Sequence, residues 1–431
     1  MDGPLQKVVA NIKAKSTSPA DLTVLLTDLM SCEELLIKHM PQLDDLLPVL
    51  DPTTHTLGMV FILNCKAAAV PLGNLHAVNI FLQQCRRMLL GCDPLQVKLV
   101  PSQFVAVCMK LSAAAIAIKS PLSAIRPLRA AACALQPSPA HFTPLHAECV
   151  KLCLLSKCYY AAQPLLEQEL LQIDKDGTHV TPRDLLLYHY YAGMVEIGLK
   201  RFKSAIQYFT LAFSAPTHVL NAIMLEAYKK GWLCSLIEFG ELPRVPKYTS
   251  TILRRHVKSA SCIAYQELSE AFLAHDINSL RAALEKHSSA LQADHNFGLA
   301  KQCIDALKRR NILRLTRTYL TLSLENIAEQ AQLDLAEAEK YVYDMMSSGE
   351  ICASIDEQQG MVRFNEWEER FDSQSTVNGM EQSIGRAIAL AQKLQEMNLQ
   401  LAVDHNYLSR VSSQDRSHSR WEDDVNTTLN R

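Results

Sequence analysis

Glycine is in short supply. The 431-residue chain holds 14 glycines, about half the usual share, which disfavours folds built on glycine-rich loops or many tight turns. No G-x-x-x-x-G-K phosphate loop and no G-x-S-x-G nucleophile elbow occurs. His-Glu-x-x-His is missing, and no two histidines are separated by a single residue, so the usual two-histidine zinc hydrolase motifs are absent. Long apolar runs are missing as well. The most apolar stretches, 57–70 and 104–118, are interrupted by Asn64, Lys66 and Lys110 and are too short to span a bilayer. Asp2, Gln6 and Lys7 break any apolar core of a secretory leader, so none is expected. Excess charge of either sign is lacking: 43 Lys and Arg stand against 45 Asp and Glu, which gives no polyanion-binding signal over the whole chain.

What the chain has is leucine, alanine and scattered cysteine. The 13 cysteines are odd in number and fall mostly within apolar helical patterns. Free thiols in a reducing compartment are therefore expected. Leu22, Leu25, Leu26 and Leu29 form one helical stripe. From about Leu57 to Leu171, apolar helical segments alternate with breaks at 70–74, 91–94, 120–121, 137–144 and 174–182. Helices that cannot bury an apolar face alone imply a stacked α-solenoid. One unit, YYAGMVEIGLKRFKSAIQYFTLAFSAP, has a tetratricopeptide-like pattern: Ala192-Gly193, then Ala205-Ile206, then Ala212-Phe213, with Phe202, Phe209 and an early Pro216. Small residues let paired helices approach, and aromatics fill the gaps. Ala124, Ala131 and Pro137 echo it. Helices are expected over Ile252–His275 and Leu280–Leu291, followed by the basic helix AKQCIDALKRRNILRLTRTY.

The stretch from Thr316 to Asn365 organises the rest. Ser323 caps a short helix carrying Leu324, Ile327 and Ala328, and Asp334 opens a second with Leu335, Ala338, Val342, Met345 and Met346 at helical spacing. Gly349 sits where a left-handed cap belongs. Ile351, Ala353 and Ile355 then alternate as in a strand, Asp356–Gly360 turns, and Met361, Val362 and Phe364 return. Helix, turn, helix and hairpin describe a winged helix. Its second helix carries Asp334, Glu337, Glu339, Asp344 and Glu350 against Lys340 alone. Nucleic-acid affinity comes mainly from neutralising phosphates, so this winged helix is expected to dock proteins, and nucleic acid is not expected as a partner.

Other candidates can be weighed from their spacing. His146, Cys149 and Cys153 share a helical face with Cys158 beyond, but no C-x-x-C clamp accompanies them, so core packing is expected and no metal, cofactor or catalytic residue is assigned. Lys308, Arg310, Arg314 and Arg317, with Arg309 beside them, approximate one face, either solvated or docking an acidic partner. Tyr341, Tyr343, Met345 and Met346 read as core and wing packing. Over Met380–Leu408 a long helix carries a stripe of Ile384, Ile388, Leu390, Leu394, Met397 and Leu401, which needs either the solenoid or another chain to cover it. Residues 411–431 are polar and Ser/Asp-rich, so disorder is expected there.

Helical repeats running into a winged helix resemble the PCI-domain family, found in the proteasome lid, the COP9 signalosome and eukaryotic initiation factor three. CVKLCLLSKCYYAAQPLL, IMLEAYKKGWLCSLIEFGELPRVPKYTS, GLAKQCIDALKRRNILRLTRTYLTLSLENIA and EAEKYVYDMMSSGEICASIDEQQGMVRF carry the resemblance, which is closest to its signalosome branch and covers roughly residues 50–370. The resemblance implies a mostly α fold: a right-handed α-solenoid of tetratricopeptide-like repeats, a winged helix and a C-terminal helix. It implies N-terminal repeats over 1–195, the helical part of a PCI domain over 196–315, a winged helix over 316–370, a bundle helix over 371–410 and a tail over 411–431. It also implies a non-catalytic scaffold, cytoplasmic and nuclear, in a large complex with other PCI and metalloprotease-type subunits. That complex removes a ubiquitin-like modifier from cullins and so regulates cullin-RING ubiquitin ligases. Assembly is expected through the wing strands (Ile351, Ala353, Ile355, Met361, Val362, Phe364) and the terminal helix (Ile384, Ile388, Leu394, Met397, Leu401). A scaffold of the proteasome lid or of initiation factor three, or an RNA-associated PCI protein using Lys308–Arg317, remains open from the residues alone.

Overall fold

The computed structural model describes every residue except 1–2, 17, 40–41, 72, 217–219, 257–261, 357–359, 366–372, 406 and 410–431. The tail expected to be disordered therefore lies outside the described residues, as does most of the wing turn. The chain divides into two compact units: residues 1–351 with 355–362, and residues 352–354 with 363–431.

In the first unit the longer helices are α1 (Gly3–Lys15), α2 (Pro19–Ser31), α3 (Thr56–Ala69), α4 (Leu75–Gly91), α5 (Pro101–Ala117), α6 (Leu122–Leu135), α7 (Pro144–Leu155), α8 (Pro182–Gly198), α9 (Phe202–Ser214), α10 (Ala222–Glu238), α11 (Ile263–Leu273), α12 (Ile277–Lys286) and α13 (Phe297–Thr316). Prolines mark several starts: Pro19, Pro101, Pro144 and Pro182 each open a helix, where the missing N–H costs nothing. Side-chain oxygens of Asn74, Thr181, Asn221 and Asp276 accept backbone N–H groups at other starts.

Helix ends carry the cost of scarce glycine. Lys119, Lys157 and Lys200 follow α5, α7 and α8 in the left-handed conformation (φ 59°, 56° and 61°), and His275 and His295 do the same further on. Around each lysine the same paired bonds close the helix: Ser120 N to Ala115 O, Cys158 N to Cys153 O and Arg201 N to Glu196 O, at 2.9–3.0 Å. This is the motif that glycine usually completes.

The helices pack as a solenoid around two successive core clusters, one from Leu5 to Val195 and one from Ala205 to Leu307. The tetratricopeptide-like unit is α8 against α9. Ala192, Ala205 and Ala212 are fully buried, and a Cβ on Gly193 would stand 2.6 Å from the Phe209 ring, so only glycine permits this approach. Beside it, β1 (His141–Phe142) pairs in parallel with β2 (Gln172–Ile173). An aromatic cluster there joins Phe142, His146, Tyr188, His189 and Tyr208, with centroids 5.2–6.4 Å apart. Two expected helices are divided. The 280–291 segment breaks at His287, between α12 and a short helix Ser288–Ala293, and 252–275 resolves into Thr251–His256 and α11.

Burial in the aromatic cluster pulls His146 and His189 down to about 4. Both are thus neutral when folded, while the unfolded chain titrates near 6.5. Below pH 6.5 the unfolded state binds more protons, so stability is complete above that value and falls as pH drops towards 4. Each histidine accounts for up to about 3 kcal/mol of this loss. The urea midpoint should fall between pH 7 and pH 5, and the fall should shrink in His189→Phe. At neutral pH, Gly193→Ala should cost about 1–3 kcal/mol through overpacking on Phe209, read from the same midpoint.

Candidate functional site

The winged helix is built from β3 (Thr321–Ser323), α14 (Leu324–Gln330), α15 (Leu335–Ser347), β4 (Ala353–Asp356) and β5 (Met361–Phe364). The Ser323 hydroxyl accepts the Asn326 N–H at 3.3 Å and caps α14. Ile327 lies buried on α14, and Ala338, Val342 and Met345 lie buried on α15 at helical spacing. Gly349 takes φ 73°, and the next amide, Glu350 N, returns to Met345 O at 2.8 Å, so the helix stops where the hairpin must begin. Tyr343, expected in the packing, instead stands 67 % exposed.

Strand order is β3-β5-β4, and this corrects the expected edge. Met361–Phe364 is the central strand, paired on both sides, so it offers no open edge. Within the hairpin the outer edge of the sheet belongs to β4. Ile351, Val362 and Phe364 are buried and hold the winged helix together. Ala353, Ile355 and Met361 are half-buried and remain on the accessible wing. The third strand was missed because Thr321, Leu322 and Ser323 read as the approach to a helix cap. The Leu324 N–H bond to Gly360 O at 2.9 Å places this approach beside the hairpin.

The basic helix, α13, does not present one basic face. Lys308 is 5 % exposed. Its ammonium donates to Glu337 on α15 at 3.1 Å and lies over the Tyr341 ring at 5.3 Å. Tyr341 in turn donates to Asp305 of α13 at 2.9 Å. Arg309 pairs with Glu350 at 2.5 Å, and Arg310 donates to the Glu238 carbonyl at 3.2 Å. Only Arg314 and Arg317 of the expected set are exposed. Glu337 of α15 and Glu350, just past its end, are therefore partners of the bases of α13.

In the second unit, α16 (Gln374–Val403) is 30 residues long and contains no buried residue. The Ser373 hydroxyl caps it by accepting the Thr376 N–H at 3.3 Å. Ile384, Ile388 and Leu394 are 61 %, 54 % and 68 % exposed, and Leu390, Met397 and Leu401 are exposed with them. An apolar stripe of this length is left open to water.

The His146, Cys149 and Cys153 face is occupied by packing. His146 Nδ1 meets the Thr143 N–H at 3.1 Å and its hydroxyl at 2.8 Å, and Nε2 meets Gln136 at 3.2 Å. His146 thereby closes a capping box at the start of α7, a role legible in the Thr-x-x-His spacing but missed. Burial raises both thiols, Cys153 to about 12. Among the described residues no group of three or more His, Cys, Asp or Glu is placed to hold a metal ion, and none of the 13 cysteines is in a disulfide.

Residues 20–253 match the family described as COP9 signalosome complex subunit 3, N-terminal helical repeats, and residues 284–366 match the PCI domain. The chain is 33 % identical over 390 residues to COP9 signalosome complex subunit 3 of Dictyostelium discoideum, covering 90 % of this chain and 92 % of that protein. It is 36 % identical over 425 residues to the protein of the same name from Arabidopsis thaliana, covering 98 % and 97 %.

The internal bonding of α13 has a direct test. Lys308→Ala leaves Glu337 without its cation and the Tyr341 ring without the ammonium over it, and should lower stability by about 1–2 kcal/mol, less than a fully buried pair because Glu337 is half exposed. Arg314→Ala and Arg317→Ala should stay within about 0.5 kcal/mol of the parent. Urea denaturation of the three variants provides the comparison.

Proposed function

The chain belongs to the COP9 signalosome subunit 3 family, and from that premise we propose that it is a non-catalytic scaffold subunit, held in its complex through α16 and the β4 edge. The observation that carries this reading is α16: 30 residues, an apolar stripe from Ile384 to Leu401, and no buried position. Burying a Leu, Ile or Met side chain is worth about 1.5–3 kcal/mol, so a stripe of six such residues left in water favours helices from other chains that can cover it. The β4 edge supports the same reading, since unpaired strand donors and acceptors favour strand addition by a neighbouring winged helix.

In this reading the neighbours are other PCI subunits and metalloprotease-type subunits, and the complex acts on cullins and so on cullin-RING ubiquitin ligases, in cytoplasm and nucleus. The chain contributes position, and the hydrolytic chemistry resides elsewhere. The RNA-associated alternative is weakened because Lys308, Arg309 and Arg310 spend their charge on internal acids and a carbonyl.

Ile388→Asp with Leu394→Asp tests the reading. Both positions are exposed, so the double variant should keep the parent's helical circular dichroism and melting profile while losing co-purification with the complex. Retention of the full set of partners by the double variant would remove α16 from the account.

A further inference from the structure

The left-handed lysines do more than end helices: they fall together. The Ser112 hydroxyl on α5 donates to Glu148 on α7 at 2.6 Å, so the two helices lie side by side, and the turn after α5 leads through Ser120 and Pro121 into the start of α6. Gln136 after α6 meets His146 near the start of α7 at 3.2 Å, so α6 runs opposite to α7 and its first residue, Leu122, lies at the end where α7 stops. The His146 ring lies 6.3 Å from Tyr188 on α8, and a Cβ on Gly198 would stand 2.7 Å from the Tyr159 ring. The turn after α8 thus adjoins the turn after α7. Lys119, Lys157 and Lys200 therefore stand in a row along one edge of the repeats, with neighbouring helices about 8–10 Å apart.

This edge has a definite chemistry. The segments 116–126, 155–163 and 197–204 contain Lys119, Arg126, Lys157, Lys200, Arg201 and Lys203 and no Asp or Glu. Lys119, Lys157 and Lys200 are exposed, and none of the three is paired with a carboxylate among the described residues. Lys200 meets the Gln302 side-chain oxygen and borders a cavity whose lining also holds Glu238, Asp305 and Glu350, with Arg309 and Arg310. The same segments expose Leu122, Leu155 and Tyr160, at 60 %, 51 % and 75 %. Exposed apolar side chains beside ammonium groups that have no ion pair among the described residues do not suit a phosphate backbone, which leaves the apolar atoms in water. They suit a polypeptide that brings both carboxylates and apolar side chains.

We propose that this edge docks an acidic segment of a partner polypeptide, its carboxylates on Lys119, Lys157 and Lys200 and its apolar side chains on Leu122, Leu155 and Tyr160. Charge complementarity selects the segment and steers its approach, and the apolar contacts slow its release. The surface lies wholly in the repeat unit and is independent of α16.

Carbodiimide coupling tests this directly, because it joins a lysine amine to a carboxylate already in contact. The tagged full chain is coupled in permeabilised cells, purified under denaturing conditions and mapped by mass spectrometry. Amide links from at least two of the three lysines to one acidic stretch of another polypeptide are expected. A Lys119→Arg, Lys157→Arg, Lys200→Arg variant cannot couple there but should retain that polypeptide. The corresponding triple glutamate variant should recover at least about tenfold less of it. A left-handed position strains glutamate no more than lysine, and unchanged circular dichroism verifies the fold. As a second variant, Leu122→Ser with Tyr160→Ser should weaken recovery without touching the charges. The inference is overturned if the three lysines couple only within their own chain or not at all, if the glutamate variant retains the polypeptide fully, or if ultraviolet cross-linking finds nucleic acid on the edge.

Discussion

A buried ammonium holds the junction of repeats and winged helix in place. Lys308 sits in the middle of α13, whose apolar positions Leu299, Ala300, Cys303 and Leu307 close the second core cluster. A charge in that position is tolerable only if it is paired, and its partner is Glu337 on the next domain's helix, under the Tyr341 ring. The pair, with Tyr341 to Asp305 and Arg309 to Glu350, orients α15 on α13. It also decides what the winged helix can do. The acidic helix that would meet DNA in a reader turns part of its charge inward, and the bases that would compensate are spent in the same contacts.

Scarce glycine is a second constraint, and it acts at helix ends. A repeat array needs a reversal after almost every helix, and the cheapest reversal uses a left-handed residue. Here lysine and histidine occupy that place. At Lys119, Lys157 and Lys200 the side chain is exposed, so the backbone requirement sets a cation on the solenoid edge at these three reversals.

The winged helix was legible because its signals are local: the Ser323 cap, the α15 stripe, Gly349 and the alternating wing. The C-terminal stripe was legible for the same reason. Strand order was not, because β3 is three residues long and its pairing with β5 depends on how the hairpin folds back. Nor was the fate of Lys308: a lysine reads as solvated, while its long methylene stem can lie in a core and deliver the ammonium to a partner. Left-handed lysines are equally silent, since propensity points to glycine at such turns. The tetratricopeptide-like unit was readable at Gly193 because the close approach leaves no choice of residue.

The central claim is that α16 is a covered helix in the assembled state and an uncovered one in the free chain. Amide hydrogen exchange over residues 380–403 reads this directly, in the free full-length chain and in the purified complex. The account predicts rapid exchange in the free chain, where no residue of α16 is buried, and protection greater by at least about a hundredfold in the complex. Equal exchange in both states would contradict it.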